Sequence, residues 1–175
     1  MTSPIEEIKI RARLLRNALT RMDAEALRRA RSAAMQRRWV IPDTWTLTLC
    51  LNVASVEAGF SQWDHARKVL GGDACVGDDM GTFWHDKACA ALLNHWFASY
   101  EDARASLKMH SGRYLLPYAR QFIVVEAPFI TSIGLDASSP RWMRIGHDLV
   151  GGYGTSDWRA LVEERLRQTR LANTL

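Results

Sequence analysis

Apolar positions near the start of the chain recur at spacings of three and four. Ile5, Ile8, Ala12, Leu15, Leu19 and Met22 form one stripe, which predicts an amphipathic helix with a single buried face. Ser3, Pro4 and Glu6 supply an N-cap, a first helical residue and a capping partner. Asp23 is placed to cap a second helix with Leu27, Ala30 and Ala34 inward and Arg28, Arg31 and Arg38 outward. Pro42 stops it, so the opening unit is expected to be an αα-hairpin. A third helix is expected over residues 44–58, with Gly59 in the left-handed position after it. Ser61 is expected to cap a fourth, ending at the Gly71-Gly72 pair.

Residues 71–82 hold four glycines and three aspartates and read as a linker or long loop. A helix carrying Leu92, Leu93, Trp96 and Phe97 is expected over 86–98, then another from a Ser99 cap to Met109, stopped by Gly112. The pattern then changes. Residues 114–118 and 121–125 are rich in aromatic and β-branched side chains and read as two short strands, with Pro117 placing the first at an edge or bulge. Short helices are expected over 129–133 and from Ser139-Pro140, and a last one from a Ser156 cap with Trp158, Leu161, Val162 and Leu166 on one face. The expected fold is mainly α, of the α+β class: a helical bundle with a small antiparallel β-hairpin in its C-terminal lobe. Residues 1–70 form a basic helical module and 83–175 the α+β lobe, unless the two merge into one compact domain.

Composition adds few constraints. Of 175 residues, 47% are apolar and 24% charged, an ordinary globular balance and not that of a disordered chain. No apolar run approaches the roughly 20 residues of a membrane span. Ser3, Pro4, Glu6 and Glu7 stand where a signal peptide would carry a basic start and an apolar block, so a cytoplasmic location and no membrane partner are expected. Cys50, Cys75 and Cys89 are odd in number and widely spaced, which predicts reduced thiols, with neither a disulfide framework nor a zinc-finger spacing. Charge is uneven. Residues 1–40 hold ten Lys or Arg against four acids, a net of +6, so the other 135 residues sum to −2. Six acids and one base lie between Gly71 and Ala103, so the basic part could meet this acidic middle or face an external polyanion.

Ala54, Gly59, Phe60 and Trp63 resemble a small helical module of bacterial proteins, sometimes found beside ankyrin repeats or glyoxalase-like domains; the likeness covers roughly residues 8–70. The string Leu93-Asn94-His95-Trp96-Phe97, with residues 114–118 and Gln121-Phe122, resembles a group of bacterial proteins with no established activity. That resemblance implies no catalytic residues. In physical terms Gly59 supplies a turn, while Phe60 and Trp63 bury aromatic area between helices.

Four constellations could carry chemistry. A helix, glycine turn and helix over 46–70 beside a basic hairpin is similar to a helix-turn-helix, with Gln62, His65, Arg67 and Lys68 on its second helix. Aligning Gly59 with the usual turn glycine, however, puts His65 where a buried aliphatic belongs and Trp63 toward the groove. The bland alternative is a solvated basic face and a structural aromatic corner. For metal binding, His85 and Cys89 would share a helix face at i, i+4, while His95 falls roughly 80° off it. For nucleophilic catalysis, Cys89 with His85, or His147-Asp148 with a serine, could assemble. No nucleophile elbow, HExxH, Walker A or GxGxxG pattern supports either, and Cys89 reads equally well as a small core residue. Last, seven tryptophans either fill the core or line an interface.

The leading expectation is a non-enzymatic binding or adaptor protein engaging a protein partner or a second copy of itself, with no cofactor. Its surface would be basic (Arg13, Arg16, Arg28, Arg31, Arg38, Gln62, Arg67, Lys68) or an aromatic groove (Trp96, Arg113, Tyr114, Tyr118, Arg120). The alternatives are a nucleic-acid-binding regulator using the basic module and an enzyme of unrecognised type.

Overall fold

The computed structural model of the protein describes residues 3–172; the outer ends of the two expected regions, 1–2 and 173–175, lie outside it. The chain divides at Gly71–Gly72 into two compact units. The fold is mainly α with a small antiparallel sheet, as the periodicities predict.

The first unit holds α1 (Pro4–Thr20), α2 (Ala24–Gln36), α3 (Leu47–Glu57) and α4 (Trp63–Gly71). Side-chain caps start three of them, at the expected Ser3 and Asp23 and also at Thr46. Ser3, Asp23 and Thr46 accept side-chain hydrogen bonds from the amides of Glu6, Ala26 and Leu49. α1 packs on α3, with Ile8, Ala12 and Leu15 buried on the first and Cys50, Val53 and Ala54 buried on the second. α2 buries only alanines, Ala26, Ala30, Ala33 and Ala34, a flat face that lets its backbone lie close to its neighbours. Gly59 has φ 92°, the left-handed geometry its position requires. Phe60 is fully buried next to it, and the Trp63 amide donates to Asn52 Oδ1 at 3.0 Å. α4 begins one residue later than a Ser61 cap would place it, and the Ser61 amide bonds His65 Nδ1.

The second unit is built on β1 (Asn94–Phe97), β2 (Arg113–Tyr118) and β3 (Gln121–Glu126), in sheet order β1-β3-β2 with both pairings antiparallel. The hairpin of β2 and β3 falls where the β-branched runs predict. Backbone bonding explains why Pro117 is tolerated. Leu115 directs its N–H to His147 and its C=O to the Leu149 amide, away from β3, so Pro117, two residues on, also faces outward and its missing N–H costs no ladder bond. α5 (Tyr100–Met109) covers one sheet face, where Ala103 packs with Leu115, Phe122 and Val124. α6 (Ala127–Ser132) follows β3, and α7 (Pro140–Arg144) packs on α8 (Ser156–Ala172). The α8 cap is Thr155, whose hydroxyl accepts from the Trp158 amide, one residue before the expected serine.

One expected helix is overturned. The helix expected over 86–98 is a 3₁₀ turn (Lys87–Ala91) followed by β1. Its apolar positions fit a helical period, but Trp96 and Phe97 alternate across a strand paired to Ile123 and Phe122, and that distant pairing decides the outcome. The stretch 71–82 is the long loop its composition predicts, and it is anchored to the turn between β2 and β3. The Met80 amide donates to the Ala119 carbonyl at 2.9 Å, and the Ala119 amide to that of Gly81 at 2.7 Å. Both Met80 and Gly81 are buried.

One buried cation ties the second unit together. Arg165 on α8 is 5% exposed. Its Nη1 donates to the Ile133 carbonyl at 2.6 Å and its Nε to that of Phe83 at 3.3 Å, while Nη2 lies 3.5 Å from Asp86 Oδ2. Burial pulls its pKa down against the opposing pull of Asp86, yet a guanidinium keeps its proton in any protein. Arg165→Met should leave two buried carbonyls short of a donor and lower stability by about 2–3 kcal/mol, read as a reduced urea midpoint with unchanged slope.

Candidate functional site

The basic residues of the first unit fall into three groups. Some are bound into the fold. Arg29 makes a two-pronged contact with Glu57, both bonds at 2.8 Å, linking α2 to α3 and holding the guanidinium above its ordinary pKa. Arg37 donates to the Phe60 carbonyl at 2.9 Å, and Arg11 pairs with Glu7 at 3.0 Å. Others are paired at the surface. Arg13 bonds Glu6 at 3.0 Å, drawing that carboxyl below its ordinary pKa. Arg28 pairs with Glu25, and Arg67 lies 3.7 Å from Asp64. The neutralising carboxylates thus lie on the same helices, and such exposed pairs exchange readily with an external anion. Arg16, Arg31 and Arg38 are exposed and make no ion pair among the described residues. Lys68 is exposed on α4, and Gln62 is exposed just before it.

Arg31 lines a cavity of the first unit. The end of α1, the start of α2 and the segment 41–45 enclose a cavity of about 370 Å³ lined by Leu19, Met22, Leu27, Ile41, Pro42 and Trp45, with Arg31 and Asp43 as its charged members. The sequence offers no sign of it, because Pro42 reads only as a stop. It forms because Met22 takes φ 59° and Arg38 φ 56°, left-handed turns that end α1 and send the chain after α2 away from its helical path. Around it lies apolar surface: Met22 is 81%, Val40 92% and Ile41 45% exposed.

The aromatic set does not form one groove. Trp96 and Tyr118 do meet edge to face, centroids 4.9 Å apart, with His85 5.2 Å beyond Tyr118. Tyr114 shares their sheet face but is buried at its other end against Trp142 and His147, its hydroxyl donating to the Ala137 carbonyl. Strand alternation puts Arg113 on the opposite face, and Arg120 donates from the hairpin turn to the Gly77 carbonyl. Trp84, Trp142 and Trp158 are core residues. A second cavity of about 360 Å³ lies under the 71–82 stretch, lined by Cys75, Val76, Met80, Pro117, Phe122 and Tyr153 among others.

The metal and nucleophile constellations come apart. His85 precedes the 3₁₀ turn instead of sharing a helix with Cys89. Its ring sits edge-on to Tyr118 and Phe129, where burial lowers its pKa, and Cys89 is fully buried. No three His, Cys, Asp or Glu side chains converge among the described residues, and the three cysteines are free thiols. Asp148 is 6% exposed and committed to the fold. It accepts from Tyr100 Oη at 2.7 Å and from the amides of Val150 and Gly151 at 2.9 and 2.8 Å. Among the described residues no helix is long and apolar enough to cross a membrane.

Comparison with models of protein families, with curated proteins and with solved structures finds no match.

Burial and the Asp148 carboxylate push the Tyr100 hydroxyl up to about 12. The neutral phenol is therefore favoured more in the folded than in the unfolded chain. Its stabilising effect is complete below the ordinary tyrosine pKa near 10 and is lost as pH rises toward about 12. In denaturation curves across that window, Tyr100→Phe should lose less stability with rising pH than the wild type. Equal slopes would mean the hydroxyl titrates normally. A cruder test uses Gly151, where an added Cβ would stand 2.8 Å from Asp148 Oδ2 and 2.9 Å from Tyr100 Oη. Gly151→Ala should separate this pair and lower the thermal midpoint.

Proposed function

We propose that the chain is a non-enzymatic binding protein whose helical unit takes an apolar anchor residue from an acidic segment of a partner protein. The observation that carries this is the 370 Å³ cavity, apolar in most of its wall and bordered by an arginine that has no ion pair among the described residues. Residues 1–71 hold 12 Lys or Arg against 7 Asp or Glu, a net of +5. A carboxylate beside the anchor would therefore be drawn to this surface and oriented on it. Pockets of this kind, filled by one large apolar side chain within a charged rim, are where binding energy concentrates in protein interfaces. Asp43 on the same wall would set the direction in which the acidic segment lies.

The nucleic-acid alternative draws on the same free cations, Arg16, Arg31 and Arg38. It has less support from α4, where Asp64 stands beside Arg67 and would face phosphate with like charge. Its mark would be duplex DNA binding that falls steeply with salt.

A displayed random peptide library selected on the immobilised full chain should return peptides that combine Asp or Glu with Leu, Met or an aromatic residue. Calorimetry with a selected peptide should show about tenfold weaker binding, or about 1.4 kcal/mol, for Arg31→Glu. Met22→Glu, which charges the cavity wall, should weaken it as well. Both side chains are exposed, so circular dichroism should be unchanged. Peptides lacking the acidic and apolar combination, or indifferent to both substitutions, would remove this reading.

A further inference from the structure

The two edges of the sheet are treated differently. The outer edge of β2 is covered: Leu115 bonds His147 and Leu149, and Ala119, just past the strand, bonds Met80 and Gly81. Pro117 has no N–H to offer, which leaves the Arg113 amide at the start of the strand as the outward donor without a backbone partner among the described residues. The outer edge of β1 has none of these. Because Leu115 turns away from β3, the pair Leu115↔Val124 is not hydrogen-bonded and Val124 directs its amide and carbonyl toward β1. His95, opposite Val124, therefore bonds inward. Asn94 and Trp96 then aim their amides and carbonyls outward, and neither group has a backbone partner among the described residues. Natural edges are commonly blunted by Lys, Pro, bulges or covering loops. β1, Asn-His-Trp-Phe, carries neither Lys nor Pro. Leu93 beside it is 64% exposed and Trp96 45%.

We infer that β1 is a docking edge for a second copy of this chain, the two β1 strands pairing antiparallel about a twofold axis through His95. Three features single out this occupant and register. Asn94 of each copy faces Trp96 of the other, so the outward groups of both strands meet in two hydrogen-bonded pairs, the most that four residues allow. Leu93 falls opposite Phe97 on the face that α5 covers, apolar against apolar. No charged residue lies within β1, so self-pairing juxtaposes no like charges. A slip of one residue would set the outward groups of one strand against the inward groups of the other and place side chains on mismatched faces. The product is a continuous six-stranded sheet with the Pro117 strands at its outer edges. This surface is separate from the helical cavity, and neither proposal rests on the other.

In this register His95 of one copy stands directly opposite His95 of the other, with Cα atoms about 4.5 Å apart. His95 is exposed, so replacing it leaves the core intact. The full-length wild type should sediment as a dimer that dissociates on dilution. His95→Lys and His95→Glu should each weaken dimerisation tenfold or more by placing like charges opposite each other, with circular dichroism unchanged. An equimolar mixture of the two variants should recover a dimer containing one of each. A wild type that stays monomeric into the high micromolar range overturns the inference. So do variants that dimerise as well as the wild type, or monomeric variants that fail to pair on mixing.

Discussion

The second unit depends on a charge that has almost no access to water. Placing a guanidinium in the interior costs several kcal/mol in lost hydration unless its donors are satisfied. Arg165 meets that condition with two main-chain carbonyls and one carboxylate. Those acceptors lie on separate stretches: Phe83 and Asp86 before the 3₁₀ turn, and Ile133 just after α6. Asp86 also caps the turn, its Oδ1 accepting from the Ala88 amide. One side chain of α8 thus fixes the segment that leads into β1, and so the path along which β1 reaches β3. The carboxylate is half exposed while the cation is not. The two carbonyls must therefore provide most of the compensation, and hydrogen bonds to a charged donor are the stronger kind.

The first unit shows how little a count of arginines says about a surface. Much of its basic excess is turned inward or sideways, to Glu57, Glu7, Glu6, Glu25 and the Phe60 carbonyl. Arg29 works as a strut between helices, and Arg37 closes the turn over the aromatic corner. The cations left over are few, so their placement matters more than their number. That is why Arg31, on the wall of an apolar cavity, weighs more in the argument than the α4 residues that a helix-turn-helix likeness would select.

What the sequence made legible is what local physics decides. The caps at Ser3, Asp23 and Ser99, the left-handed Gly59 and the β2–β3 hairpin all follow from a few adjacent residues. What stayed hidden depends on partners far along the chain. Residues 92–97 suit either a helix or a strand by their own pattern, and only the open side of β3 at Phe122 and Val124 makes them a strand. Arg165 in an amphipathic helix reads as a solvated position until the carbonyls of Phe83 and Ile133 are seen beneath it. The cavity was illegible for the same reason, since Ile41 and Trp45 line it with α1 residues more than twenty positions earlier. Tyr114 was misplaced in an exposed groove because an aromatic strand residue gives no sign of which end of the sheet is covered.

Satisfied and unsatisfied polar groups are distributed differently between the interior and the surface of this molecule. A catalytic site keeps donors and acceptors aimed at a place its own fold leaves empty. Here the buried polar side chains are occupied by the protein: Ser55 donates to the Leu51 carbonyl, Asp148 is held by a tyrosine and two amides, and Arg165 by its carbonyls. The buried side-chain atom without a partner among the described residues is Trp158 Nε1, a neutral indole donor whose ring packs edge-on to Tyr153. It sits in the core, where it could not reach a substrate. Unmet bonding capacity lies instead at the surface, in the outward amides and carbonyls of Asn94 and Trp96 and in the apolar wall beside Arg31. Both are surfaces that another polypeptide can complete, one with backbone and the other with a side chain. The two proposals therefore call for different partners, a copy of the chain at the neutral edge and an acidic segment at the basic cavity.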